Sequence, residues 1–245
     1  MQDTTPPSES APTGVAFPKR IKTFVMRAGR TTSGQTRALQ VLGPQFVAQY
    51  QKDKVFDWAQ LYGQERAHLP TIFEIGFGMG DASAQIASQQ PNINYLGCEV
   101  HEPGVGALLK KIEELNLSNI RIISHDAVEV LEEMIPNNSL SGVHIFFPDP
   151  WHKARHHKRR LIQPPLVQLL VSKLKTGGYI HCATDWEPYS KQILATLQST
   201  AQLINQSDHA SGFSDRPDYR PVTKFERRGL KLGHGVWDLI FKKID

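Results

Sequence analysis

Short apolar runs recur along the chain at 71–75, 94–100, 120–125, 142–147, 178–184 and 235–242, and stretches of helical periodicity separate most of them. Runs of this length predict strands, and their alternation with helices predicts an α/β fold on a doubly wound, mainly parallel sheet. Ahead of the first strand the pattern predicts a helix near 34–42 and a second helical stretch over 51–62. No internal repeat and no second period interrupts this order, so nothing in it asks for a second domain.

The strand ends carry the candidate chemistry. The run Thr71-Ile72-Phe73-Glu74-Ile75 breaks into Gly76-Phe77-Gly78-Met79-Gly80, and a helix-like stretch follows at 82–88. Small residues at such a junction let backbone approach a ligand at a helix N-terminus. The spacing is G-x-G-x-G, not the G-x-G-x-x-G of dinucleotide sites, and Glu74 would oppose a pyrophosphate. It favours a ligand with an ammonium group and no phosphate, of which S-adenosylmethionine is one. Glu99 ends the second strand 25 residues after Glu74, where an acid can accept both hydroxyls of a ribose. Asp126-Ala127 follows the third strand, where it could meet the amino edge of an adenine. Glu99 and Asp126 taken singly also fit turn or N-cap acids. Three acids at three successive strand ends point to one shared cleft.

The fourth strand runs into Pro148-Asp149-Pro150-Trp151, and residues 153–160 then hold five Lys or Arg and two His. Proline fixes its own φ and restricts its neighbour, so Asp149 is presented in a stiff turn beside aromatic surface. A solvated basic loop after a core strand is the plain alternative. Formal net charge is +4 over 245 residues, a modest excess that matters because it clusters here and at Lys19, Arg20, Lys22, Arg27 and Arg30. Such clusters suit a polyanion, and no apolar run approaches a membrane-spanning length. Residues 1–18 are polar with four prolines, so no leader peptide is expected and 1–20 read as a disordered tail before a single domain over 21–245. Cys98 and Cys182 stand singly in predicted strands, which suits reduced thiols in the cytoplasm. His152, His156 and His157 lack partners at ligand spacing, so no metal is expected.

EIGFGMG at 74–80, GCEVHEPGVG at 97–106, HDAVEVL at 125–131, FFPDPWHKARHHKRR at 146–160, ATDWEPY at 183–189 and TKFERRG at 223–229 together resemble the bacterial tRNA (guanine-N7-)-methyltransferase family. RIKTFVMRAGR at 20–30 is similar to that family's N-terminal segment. The resemblance implies a Rossmann-like class I methyltransferase fold with an antiparallel C-terminal strand, added at the sheet edge by the 235–242 run. It implies S-adenosylmethionine as cofactor, held by Glu74, Gly76, Gly78, Gly80, Glu99, Asp126 and Ala127. It implies tRNA as partner, methylated at N7 of the guanosine at position 46, with Asp149, Asp185 and Glu226 as catalytic candidates. Lys153, Asp185, Thr223, Lys224, Phe225 and Glu226 become substrate contacts. Arg27, Arg30, Arg155, His156, His157, Lys158, Arg159 and Arg160 become RNA contacts. A monomer is the working expectation.

Two of these segments have plainer explanations that stand beside the implied ones. Asp185 precedes a predicted helix and fits an N-cap. Thr223-Lys224-Phe225-Glu226 fits a capping box, with Gly229 as a stop. A nicotinamide dehydrogenase would share the fold but not this glycine spacing. A non-catalytic RNA-binding relative would show damage in the cofactor loop, and EIGFGMG shows none.

Overall fold

A computed structural model describes residues 23–24, 29–223, 226–227 and 235–245. The tail expected over 1–20, together with Lys19, Arg20, Lys22 and Arg27 of the basic arm, lies outside the described residues.

Thr32 opens α1 (Ser33–Phe46) with a capping box, its hydroxyl accepting from Gln35 N–H while the Gln35 amide oxygen accepts from Thr32 N–H. The strands β2 (Thr71–Ile75), β3 (Asn94–Cys98), β4 (Ile120–Ile123), β5 (Leu140–Phe146) and β6 (Leu174–Thr184) follow, preceded by a two-residue β1 (Val47–Ala48). Between them lie α3 (Asp81–Gln89), α4 (Glu102–Glu114), α5 (Ala127–Glu133) and α6 (Pro164–Lys173), with α7 (Glu187–Gln198) after β6. The sheet has eight strands in the order β1-β4-β3-β2-β5-β6-β8-β7, where β7 is Leu203–Asn205 and β8 is Trp237–Lys243. β1 to β6 pair in parallel, and β8 pairs antiparallel with both β6 and β7.

Both faces of the sheet are covered, which is why its strands read as apolar runs and not as alternating ones. Ile72, Tyr95, Ile120 and Ile122 pack against α1, α3 and α4 through Ala38, Ile86, Leu108 and Ile112. Phe73, Leu96, Ile123 and Val143 pack on the other face with Val130, Val167, Leu170 and Ile193 from α5, α6 and α7.

Two expectations are corrected. Helix forms only at α2 (Trp58–Tyr62), not over 51–62, because Asp53 takes a left-handed φ of 60° and Asp57 caps the short helix through Ala59 N–H. The C-terminal strand is antiparallel but does not form the edge: β7, too short to stand out as a run, pairs outside it.

Candidate active site

Strand order reverses at β2, with β3 on one side and β5 on the other, and open α/β sheets bind ligands at the carboxyl ends of the strands beside such a reversal. A cavity of about 460 Å³ lies there. Ile75 and Gly76 line it from β2, Cys98 and Glu99 from β3, His125, Asp126 and Ala127 from β4, and Phe146, Phe147 and Asp149 from β5. Thr23 and Phe24 of the N-terminal segment close one side, and the Trp151 indole N–H donates to the Thr23 carbonyl at 3.2 Å.

Gly76, Gly78 and Gly80 have φ of 75°, 58° and 71°, a region that costs side-chain-bearing residues strain. A Cβ on Gly76 or Gly78 would meet nothing within 4 Å, whereas one on Gly104 of α4 would lie 2.1 Å from the Gly78 carbonyl. The loop is thus open on its ligand side and backed tightly by a helix.

Glu74 does not line the cavity, so the expectation that its charge meets a ligand is corrected. Its side chain is buried under the loop and accepts from the Ser83 hydroxyl at 2.5 Å and the Tyr95 hydroxyl at 2.9 Å. Burial pushes its carboxyl up from 4.5 to about 7, against the pull of those two donors. A carboxyl that binds its proton more tightly when folded favours folding at low pH, and that stability is lost as pH rises from 4.5 towards 7. The loss is about 3 kcal/mol. Glu74→Gln should therefore flatten the fall in stability between pH 5 and 8 measured by urea unfolding. An unchanged slope would show that Glu74 ionises as readily in the fold as in the unfolded chain.

Glu99 is 9% exposed, and its carboxylate accepts from Gly78 N–H at 2.8 Å, Val100 N–H at 2.7 Å and His101 N–H at 3.0 Å. It therefore pins the glycine loop as well as facing the cavity. Asp126 caps α5 by accepting from Val128 N–H at 2.9 Å while lining the same cavity, so its two readings coexist. Tyr50 stacks on His125 at 3.7 Å beside it, a pair that no sequence pattern announced.

Asp149 is exposed at the cavity mouth, and its Oδ1 accepts from Trp151 N–H at 2.9 Å. Phe147 and Trp151 flank it with left-handed φ of 51° and 46°. The basic run folds into a 3₁₀ turn, Ala154–Arg159, on which Arg155 and Lys158 are exposed; Lys153 is exposed just before it, as Arg30 is elsewhere. Arg159 lies 4.0 Å over the Trp151 ring, His156 packs on the same ring edge to face, and His157 Nε2 accepts from Arg160 at 3.0 Å. Arg160 departs from the expectation. It is 3% exposed, donates to the Pro150 carbonyl at 2.8 Å and to Gln192 at 2.5 Å, and lies over the Tyr189 ring. Its charge ties the turn to the core, so it is removed from the RNA-facing set.

Asp185 is exposed just past β6 and does not cap α7, whose N-cap is Trp186. It makes no hydrogen bond or ion pair among the described residues. Thr223 and Glu226 form the reciprocal capping box, with Glu226 N–H donating to Thr223 Oγ1 at 3.1 Å and Thr223 N–H to Glu226 Oε2 at 3.3 Å. The Glu226 carboxylate is buried and gripped by Arg220, a residue with no sequence signal, because its other partner, Asp238, lies 18 positions further on. Lys224, Phe225 and Gly229 lie outside the described residues. No group of three or more His, Cys, Asp or Glu able to hold a metal occurs among the described residues.

The sheet order, the glycine loop and the acids at the strand ends define a Rossmann-like methyltransferase. Comparison with known proteins agrees. The family described as putative methyltransferase matches residues 68–239. A 16S rRNA methyltransferase, KamB, shares the fold, with a TM-score of 0.53 and 13% identity over 82% of this chain and 99% of its own. The tRNA (guanine-N(7)-)-methyltransferase of Cupriavidus necator is 58% identical over 97% of this chain and 89% of its own length. That of Paraburkholderia xenovorans is 60% identical over 98% and 88%. The chain belongs to the tRNA (guanine-N(7)-)-methyltransferase family, and its cofactor is S-adenosylmethionine. The site fits that cofactor. The cavity lining carries the carboxylates Glu99, Asp126 and Asp149 and, among the described residues, no Lys or Arg that would call for a phosphate.

Proposed function

We propose that this protein methylates N7 of a guanosine in tRNA, at position 46 of the variable loop, and that Asp149 is the residue that holds the guanine. One observation carries the assignment. Asp149 shares a cavity with Glu99, Asp126 and Gly76 of the glycine loop, and the exposed cations of the 3₁₀ turn begin six residues after it, at Arg155. S-adenosylmethionine, when bound, supplies an electrophilic methyl group on a positively charged sulfur. Guanine N7 has an in-plane lone pair and no hydrogen, so no residue needs to act as base. What this chain supplies is position and charge. Glu99 accepts the ribose hydroxyls and Asp126-Ala127 meets the adenine. Asp149 accepts from the guanine N1–H and exocyclic amine, and its charge favours the positive charge that builds on the purine. Asp185, exposed at the neighbouring strand end, and Glu226, on its capped turn with Thr223, support the guanine side. Lys153, Lys224 and Phe225 complete that side.

Exposing the nucleotide costs a few kcal/mol. Phosphate contacts from Arg27, Arg30, Arg155, His156, His157, Lys158 and Arg159 offset it. Replacing Arg155 and Lys158, the two exposed cations of the turn, by Ala should weaken tRNA binding and reduce the log-log salt slope by about 0.7 to 0.9 per lost contact. Cofactor affinity should not change. An unaltered slope in filter binding across salt would show that these side chains face only solvent.

The activity resides in one domain over 21–245, acting as a monomer in the cytoplasm. Among the described residues no helix is long and apolar enough to cross a membrane. The deciding experiment incubates the protein with labelled S-adenosylmethionine and total tRNA, then identifies the labelled nucleoside and its position. Label in any nucleoside other than N7-methylguanosine would overturn the proposal.

A further inference from the structure

Arg220 is 1% exposed, does not line the cavity, and spends its guanidinium on two carboxylates. Nε and one terminal nitrogen donate to Asp238 at 2.6 and 2.8 Å, and both terminal nitrogens donate to Glu226 at 2.8 and 2.9 Å. Asp238 Oδ1 is shared with His181 Nε2 at 2.7 Å, and the far nitrogen of that ring meets the Tyr219 hydroxyl at 2.8 Å. The guanidinium carbon also lies 5.6 Å from the centre of the Phe147 ring.

Burying one cation between two carboxylates is a poor way to gain stability, because desolvation consumes most of the attraction and apolar groups of the same volume do as well. What such a cluster does provide is geometry. Here it joins three segments that are far apart in sequence. Asp238 belongs to β8, Glu226 closes the capped turn that begins at Thr223, and Phe147 makes the left-handed step that starts the turn to Asp149. None of the hydrogen bonds of Arg220 reaches the glycine loop, Glu99 or Asp126.

We propose that Arg220, anchored by Asp238, is a positioning residue for methyl transfer, holding the Thr223–Glu226 turn and the Phe147 step in one register on the guanine side of the cavity. The inference rests on the reading that Asp149 and Glu226 serve the guanine. Lysine cannot replace the fork, since a point charge on a flexible stem cannot hold two carboxylates in a fixed plane.

The test uses the full chain with Arg220→Lys, measuring S-adenosylmethionine affinity by calorimetry, tRNA affinity by filter binding and methyl transfer in a single turnover with both ligands saturating. The expected result is both dissociation constants within about twofold of the wild type and a single-turnover rate lower by about a hundredfold, since a misplacement of about 1 Å costs on that order. A rate equal to the wild type overturns the proposal. So does a cofactor affinity that falls in step with the rate, which marks a general structural role. Should Arg220→Lys not fold, Asp238→Asn keeps the Arg220–Glu226 pair and is read by the same outcomes. Glu226→Gln in the same assays separates the two layers: a normal rate there sinks the guanine-side assignment of Glu226, while a slow Glu226→Gln beside a normal Arg220→Lys sinks only the role of Arg220.

Discussion

Asp149→Ala should lower methyl transfer to tRNA by about a thousandfold or more while leaving the fold and S-adenosylmethionine affinity nearly intact. The carboxylate is exposed at the cavity mouth, so among the described residues removing it leaves no buried partner unpaired, and its hydrogen bond to the Trp151 N–H is local. Asp149→Asn makes the sharper comparison. Its side-chain oxygen can keep the bond to Trp151 N–H, so the turn survives, but the second oxygen becomes an amine that meets the guanine N1–H and amine donor to donor. The negative charge that favours a cationic purine is lost as well. Asparagine should therefore be severely impaired too, at unchanged melting temperature. The measurement is scission of the tRNA chain at N7-methylguanosine after borohydride and aniline treatment. Near-normal scission with Asn would show that Asp149 only shapes the turn between Pro148 and Pro150, and would move the role to Asp185 or Glu226.

What was legible in the sequence is what depends on local pattern. The run 71–75 reads as a buried strand because β2 is covered on both faces, and Thr71–Ile75 forms as expected. The box T-x-x-E is a local hydrogen-bond exchange, and it forms between Thr223 and Glu226. Residues whose surroundings come from distant segments were not legible. Arg160 stands in a cationic run and looks like its neighbours, yet Gln192 and the Tyr189 ring, both on α7, draw it inside. Glu74 lies one residue before the end of an apolar strand, and only the packing of Ser83 and Tyr95 shows that its side chain points beneath the loop and not into the cavity. Arg220 gave no sign at all. A three-residue strand such as β7 has too few positions to show a period, and it displaced β8 from the edge.

Glu99→Ala should weaken S-adenosylmethionine binding by about a hundredfold or more, roughly 3 kcal/mol. Two effects add. The ribose loses its acceptor, and the N–H groups of Gly78, Val100 and His101 lose the carboxylate that holds them. The first is a charge-assisted hydrogen bond to the ligand, among the stronger kinds. The second frees the glycine loop, whose left-handed backbone at Gly78 is fixed in part by that 2.8 Å contact, so the loop must be ordered again each time the cofactor binds. Glu99→Gln should fall between, about tenfold weaker, because the amide oxygen can serve one side while its amine opposes the donors on the other. Binding of tRNA should persist in both variants, since the exposed cations of the 3₁₀ turn lie on a different segment and share no hydrogen bond with Glu99. Calorimetry on the cofactor and filter binding on tRNA, run on the same preparations, make the check. Unchanged cofactor affinity in Glu99→Ala would remove Glu99 from the site, and loss of both ligands together would show that the carboxylate serves the fold and not the ribose.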